Sequence, residues 1–202
     1  MKSYPSIPRD FIEFEAHVFD KIDGSNLRFE WKRKGGWYKY GTRQRLFDQT
    51  DPVFGSAIEL FHTTLAQQLS DIFKRERYDS AVAFCEFWGE NSFAGLHEPQ
   101  DKKHLTLFDI APHKEGILGP REFIKLYGHL DIPRFLGKLN WTRGFVERVR
   151  SGEVEGITFE GVVGKAKSAR HDLIMCKAKT KAWVDAVTAR YSQSEASTII
   201  NS

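Results

Sequence analysis

Cysteine is scarce: the 202 residues contain two, Cys85 and Cys176. They stand in separate apolar strand-like runs without the paired spacing of a zinc site, so both read as reduced core residues in a reducing compartment. Long apolar runs are missing too, and no stretch approaches membrane-spanning length, which argues against a membrane protein. The opening Met1-Lys2-Ser3-Tyr4-Pro5 lacks the apolar core of a secretory signal, and a cytoplasmic location is expected. There is little net charge of either sign, +3 in all, too mild to identify a nucleic-acid partner by itself. Internal repeats, low-complexity blocks and obvious linkers are absent as well.

What is present is the composition of a soluble globular protein, 41% hydrophobic and 28% charged. One domain over 1–191 is expected, followed by a polar, serine-rich tail over 192–202 that reads as frayed. An alternating run (Ile12, Phe14, Ala16, Val18) predicts a strand that leads into a turn at Lys21-Ile22-Asp23-Gly24-Ser25-Asn26. Two aromatic-rich runs, Leu27 to Trp31 and Trp37 to Gly41, flank Lys34-Gly35-Gly36 and predict a hairpin. Apolar spacing from Asp51 to Arg77 predicts one long helix. Strands are expected over Ala81 to Phe87, Leu105 to Ile110, Gly156 to Val163 and Asp172 to Cys176. Short helices are expected over Pro120 to Tyr127, Thr142 to Val149 and about Ala182 to Tyr191. Hairpin-connected strands with helices packed outside them make an α+β domain.

Chemistry-bearing residues collect at the strand ends. Lys21 would need a lowered pKa to attack an electrophile, because only the free amine is a nucleophile, and a strand end beside a glycine turn permits that. Gly24 lets backbone approach a ligand closely, while Ser25 and Asn26 offer short polar groups nearby. Taken alone, Lys-x-Asp-Gly describes an ordinary hairpin turn. Lys177 and Lys179, two apart on a strand, face one side and can reach one phosphate; the bland account is a pair of solvated edge-strand lysines. Glu160 lies in an otherwise apolar strand, where a buried carboxylate needs a partner. Local basic runs at Lys32 to Lys39, Arg43 to Arg45 and Lys165 to Lys181, each taken singly, read first as solvated surface.

In order, Lys21 with Asp23-Gly24, then Arg43, Glu86, Phe108, Glu160-Gly161 and Lys177 with Lys179 form a series more specific than any member. This series resembles the covalent nucleotidyltransferase superfamily, which comprises ATP-dependent DNA ligases, RNA ligases and messenger RNA capping enzymes. The match spans Lys21 to Lys179. It is most similar to the RNA ligase branch, because Asn26 stands where DNA ligases and capping enzymes usually carry arginine.

The resemblance implies a nucleotidyltransferase (ATP-grasp-like) domain of antiparallel sheets with flanking helices. It implies that Lys21 attacks the α-phosphorus of ATP, with Lys177 and Lys179 neutralising the phosphate oxygens and supporting a deprotonated Lys21. Asp20, Asp23, Gly24, Asn26, Arg43, Glu86 and Phe108 are its implied ATP/AMP-binding residues, Phe108 as the aromatic that stacks on adenine. Glu160 is its implied ligand for a divalent metal, Mg2+ held partly through water, with Mn2+ as a substitute. The family places Glu after Gly in the ribose motif, whereas this chain has Cys85-Glu86 and Trp88-Gly89-Glu90, so Glu90 competes with Glu86. The adenine edge could be read by Asp20, by Phe19 or by backbone near Lys21, and Arg28 and Arg45 could contact phosphates.

The implied partner is a nucleic acid with 5′-phosphate and 3′-hydroxyl ends, RNA in preference to DNA. Trp31, Trp37, Tyr38 and Tyr40, interleaved with Lys32, Arg33, Lys34 and Lys39, could stack bases, or the aromatics could pack inward with the cations in water. Two alternatives remain: a minimal DNA ligase or capping enzyme on the same fold, and a binding module that has lost turnover.

Overall fold

In the computed structural model, residues 4–7, 12–90, 94, 96–168 and 173–201 are described. They form two compact units, where the sequence suggested one domain. The first comprises Met1–Tyr4, Gly24–Glu90 and Gln100–Ile132, the second Pro5–Asp23, Asn91–Pro99 and Pro133–Ser202. Each unit is built on its own antiparallel sheet, and with six helices among the described residues the class is α+β.

The first unit contains β2 (Ser25–Lys32), β3 (Gly36–Thr42), β4 (Leu46–Phe47), β5 (Ser80–Trp88) and β6 (His104–Pro112), in the order β4-β3-β2-β5-β6. The glycine pair closes the β2–β3 hairpin as expected. Alternation sets the two faces. Leu27, Phe29 and Trp31 of β2, with Ala83, Cys85 and Phe87 of β5, enter a core with α1 (Gly55–Thr64), α2 (Ala66–Arg75) and α3 (Pro120–Tyr127). Asn26 and Arg28 of β2 stand opposite Glu86 and Phe84 of β5, on the other face.

The single helix expected from Asp51 to Arg77 is two helices that meet at Leu65, whose φ of −122° leaves the helical region. Thr63 and Thr64 precede the break, and their hydroxyls bond back to the Glu59 and Leu60 carbonyls, a competition with the helix that periodicity does not register. Most of the aromatic cluster on the hairpin turns inward. Trp31 is 2% exposed, and Trp37 packs edge-on against Phe61 while its indole donates to the Ala66 carbonyl at 3.1 Å. Tyr38 alone of the four is exposed, with the Lys32 ammonium 4.4 Å from its ring centre.

The second unit contains β1 (Phe14–Lys21), β7 (Phe135–Trp141), β8 (Gly161–Lys167) and β9 (Leu173–Lys179), in the order β7-β1-β8-β9. Ala16 and Val18 of β1, Val162 of β8, Cys176 and Ala178 of β9 and Trp141 of β7 form one buried face, covered by Phe145 and Val149 of α4 (Arg143–Arg150). The opposite face carries Lys21, Lys177 and Lys179. Strand β7 was not expected from sequence: Gly137 interrupts its alternation, and the pairing with β1 slips between Val18 and Phe19. Strand β8 begins only at Gly161, so 156–160, expected as strand, is not regular structure. The strand expected from Asp172 is β9; Asp172 itself lies outside the described residues.

After α5 (Lys181–Arg190), the expected frayed tail is instead α6 (Gln193–Asn201). Ser192 and Glu195 explain it through a reciprocal cap: the Ser192 N–H donates to Glu195 Oε2 at 3.1 Å and the Glu195 N–H to Ser192 Oγ at 3.5 Å. Ala196 is 3% exposed and packs in a cluster with Trp183 and Val187. Among the described residues no helix is long and apolar enough to cross a membrane.

Candidate active site

In the second unit, three neighbouring strands bring three of the expected residues together. Gly161 at the start of β8 is in register with Lys21 of β1 on one side and Lys179 of β9 on the other. With a φ of +149°, and with the Ala178 carbonyl oxygen 2.0 Å from where a Cβ would be, no residue but glycine fits there. Glu160 therefore enters between the two lysines. Its Oε2 lies 2.8 Å from Lys21 Nζ and its Oε1 lies 2.9 Å from Lys179 Nζ, at 2% side-chain exposure.

Asp23 adds a second carboxylate to this cluster. At 4% exposure its carboxyl is pushed up to about 6, first by burial and then by the Glu160 charge. The Trp183 indole, the His97 imidazole and the Lys21 ammonium pull the other way. His97 Nε2 is also 2.8 Å from the Asp23 carbonyl oxygen. Lys179 is held below the usual lysine range by burial and by Lys21, against the opposing pull of Glu160, and its ammonium sits 4.1 Å from the centre of the Trp183 ring. The last turn of α6 offers its carbonyls to both lysines, Asn201 O at 3.5 Å from Lys177 Nζ and Ile199 O at 3.4 Å from Lys179 Nζ. A helix C-terminus suits cations.

Asp20 is placed differently from Lys21, on the buried side of β1. Its carboxylate accepts the Thr158 N–H at 3.0 Å and the Thr158 hydroxyl, at 5% exposure.

Within the first unit, the face of the sheet away from the helices carries the other expected residues. Asn26 pairs with Glu86, which pairs in turn with Thr106 of β6. Glu90 lies beyond the end of β5 in a turn, its N–H bonded to the Asp101 carbonyl at 2.9 Å. Gly24 sits so close to β5 that an added Cβ would lie 2.7 Å from the Phe87 carbonyl oxygen. Phe108 occupies the bulge at which β6 slips against β5, next to Asp109. Tyr4, which sequence reasoning missed, meets Phe108 nearly perpendicularly with ring centres 5.0 Å apart and donates its hydroxyl to Asp109 at 2.5 Å. Burial, then Asp109, pushes that phenol well above its ordinary range. A lone tyrosine near the start of the chain carries no sequence signal. Arg43 is exposed in the turn after β3, whereas Arg45 pairs with Asp51 and Arg28 with the Thr42 carbonyl and Glu30.

Among the described residues no group of three or more His, Cys, Asp or Glu is arranged to hold an ion, and Glu160 has only Asp23 as a neighbouring carboxylate in this cluster. So few carboxylates fit a hard cation that keeps water or phosphate oxygens as its remaining ligands, which is the habit of Mg2+.

No protein-family model matches the chain, and no curated protein does. Solved structures do match. An RNA ligase of Naegleria gruberi, solved with ATP and Mn, aligns at a TM-score of 0.62 and 16% identity over 87% of this chain and 51% of its own. An archaeal ATP-dependent RNA ligase aligns at 0.61 and 19% identity over 91% of this chain and 50% of its own. A protein of Aquifex aeolicus assigned as an ATP-dependent DNA ligase aligns at 0.58 and 18% identity over 98% and 57%. The chain thus spans about half the length of the structures it matches. The chain shares its fold with these ATP-dependent ligase structures.

The Asp23 environment gives a stability signature. Its folded pKa near 6 lies above the ordinary value near 4, so between about pH 4 and 6 the folded chain holds a proton that the unfolded chain has released. Stability from this group therefore falls as pH rises through that window, and the penalty is complete above about 6. Asp23→Asn should raise Tm by about 3–6 °C at pH 7.5 and leave it unchanged near pH 4. Thermal melts from pH 4 to 7.5 check this; a shift of equal size at every pH would contradict it.

Proposed function

We propose that the chain is an ATP-dependent polynucleotide ligase that acts through a lysyl-AMP intermediate, with RNA as its strand. The observation that carries the reading is the pairing of Lys21 with a buried glutamate that Lys179 shares, in the fold of ATP-dependent ligases. A binding module would have no use for two lysines desolvated around one carboxylate, since burying such a group is costly and holding nucleic acid needs only exposed cations.

In the proposed first step, Lys21 Nζ attacks the α-phosphorus of ATP. An N–P bond forms, the bond to the bridging oxygen breaks, and pyrophosphate leaves with the electron pair. Only the neutral amine attacks, and Glu160 Oε2, at 2.8 Å, is placed to accept its proton. Lys179, and Lys177 on the same face of β9, would neutralise charge on the phosphate oxygens. A divalent cation bound through Glu160 would supply further neutralisation of the phosphates. Glu86 and Asn26 would hydrogen-bond the ribose, Phe108 would stack on the adenine, and exposed Arg43 would meet ribose or the acceptor end. Gly24 would leave the backbone open, and Asp23 would orient Lys21 and the ribose. AMP then passes to a 5′-phosphate, and a 3′-hydroxyl displaces it to seal the strand.

Incubation with [α-32P]ATP and Mg2+ should label the protein, and added pyrophosphate should remove the label. Lys21→Arg keeps the charge but supplies no free amine near neutrality, and the variant should take up no label. Label retained by Lys21→Arg would remove the nucleophile assignment.

Strand preference rests on Asn26 and on Tyr38, the aromatic of the hairpin cluster that is exposed, between Lys32 and Lys39. The match to the Aquifex aeolicus protein over 98% of this chain keeps DNA as the second reading. A ligase for RNA must sense the 2′-hydroxyl or A-form shape near the reactive 3′ end, since phosphate contacts are common to both polymers. With a pre-adenylylated 5′ strand, sealing should be faster when the terminal 3′ nucleotides are ribonucleotides; equal rates or a preference for the all-DNA nick would favour the DNA reading.

A further inference from the structure

The approach of Glu160 to Lys21 depends on a short segment without regular structure, and that segment is held at both ends. On one side, Thr180 grips it through two bonds, its hydroxyl to the Phe159 carbonyl at 2.7 Å and its N–H to the Glu160 carbonyl at 2.8 Å. On the other side stands Asp20. Its Oδ1 accepts the Thr158 N–H at 3.0 Å, its Oδ2 accepts the Thr158 hydroxyl, and its own N–H is bonded to the Arg134 carbonyl at 2.9 Å.

We propose that Asp20 is a positioning residue: through Thr158 it fixes the segment that carries Glu160 and so sets the Glu160 carboxylate against Lys21. This rests on the reading of Lys21 as the nucleophile. Successive residues of a strand face opposite sides, so Asp20 belongs to the side of Val18 and, across the ladder, Val162, both fully buried. Both carboxylate oxygens are engaged and the residue is 5% exposed. A carboxylate so committed is not disposed to read the edge of a base, which was the other use open to it. Two residues thus clamp one segment from opposite ends, Asp20 at residue 158 through its carboxylate, and Thr180 at residue 159 through its hydroxyl and at residue 160 through its N–H. Releasing the Asp20 end lets Glu160 drift, and a displacement on the order of 1 Å costs about 100-fold when reacting groups must be aligned.

The test uses Asp20→Asn and Thr158→Val, with Thr158→Ser as the variant that keeps the hydroxyl. Asp20→Asn and Thr158→Val should each lower the maximal rate of protein-AMP formation by about 10-fold or more, with the half-saturating ATP concentration unchanged. Thr158→Ser should stay near wild type, and the double variant should be no slower than the slower single one. The ratio of rates with ATP and ITP, which differ at the 6-position of the purine, should be the same in all of them. A second readout needs no nucleotide: the rate at which acetic anhydride labels Lys21, followed by mass spectrometry, should change in Asp20→Asn and Thr158→Val together as the carboxylate leaves the amine. Altered labelling in a wild-type background that never charges with AMP would keep the clamp and discard the ligase reading. Normal charging with unaltered labelling and rates in both variants would discard the clamp. A changed ATP-to-ITP ratio confined to Asp20→Asn would overturn it in favour of base reading.

Discussion

The Glu160 carboxylate, almost wholly removed from water and shared by two ammonium groups, is the interaction on which the candidate site depends. A charge this buried carries a desolvation cost of several kcal/mol, offset only when its partners are well placed. Much of the second unit meets that requirement. Three strands run in register at Lys21, Gly161 and Lys179, and a glycine allows β8 to begin hard against β9. Thr180 caps the following helix through its hydroxyl and, with the same group, anchors the Phe159 carbonyl, so one residue ends the loop and starts α5.

Charge balance explains why such a cluster can exist and still act. Lys21 and Lys179 are offset by Glu160 and by Asp23, whose carboxyl titrates close to neutrality. Under the proposed function an incoming phosphate would compete for the same ammonium groups that now hold Glu160, and loss of the Asp23 charge would tilt the cluster towards accepting an anion. The carboxyl pushed up to about 6 is a destabilising group, and groups of that kind gather where function requires them. The first unit is organised by other means. Its polar face is set by alternation along β2 and β5, and its Phe108 is displaced from regular pairing by a bulge and met by Tyr4.

Legibility from sequence followed the range of the forces involved. Alternation placed Lys21 at a strand end and Lys177 with Lys179 on one face, and Pro120 marked an early position of α3. These are local signals. The break at Leu65 was hidden because apolar spacing runs straight through it, while the threonine hydroxyls that compete for helix carbonyls act at single positions. Strand β7 was hidden by Gly137, and α6 by a serine-rich composition that resembles a loose tail until Ser192 and Glu195 are seen to cap each other. Glu160 was expected to need a partner if buried, a divalent cation being the candidate, whereas the partners that the fold brings to it are Lys21, 139 residues away, and Lys179 at the end of β9. The role of Thr158, the perpendicular contact of Tyr4 and the Trp183 indole beside Asp23 arise only from tertiary packing. They leave no periodic trace.

A covalent bond from Lys21 to phosphorus, as proposed, can be tested by the chemistry of the bond itself. Protein treated with ATP and Mg2+ would be digested and the AMP-bearing peptide sequenced by mass spectrometry, with portions exposed to acid and to alkali. AMP is expected on the Lys21 side chain, lost in acid and retained in alkali as a phosphoramidate requires. AMP on any other residue, or a linkage stable in acid and cleaved in alkali, would contradict it.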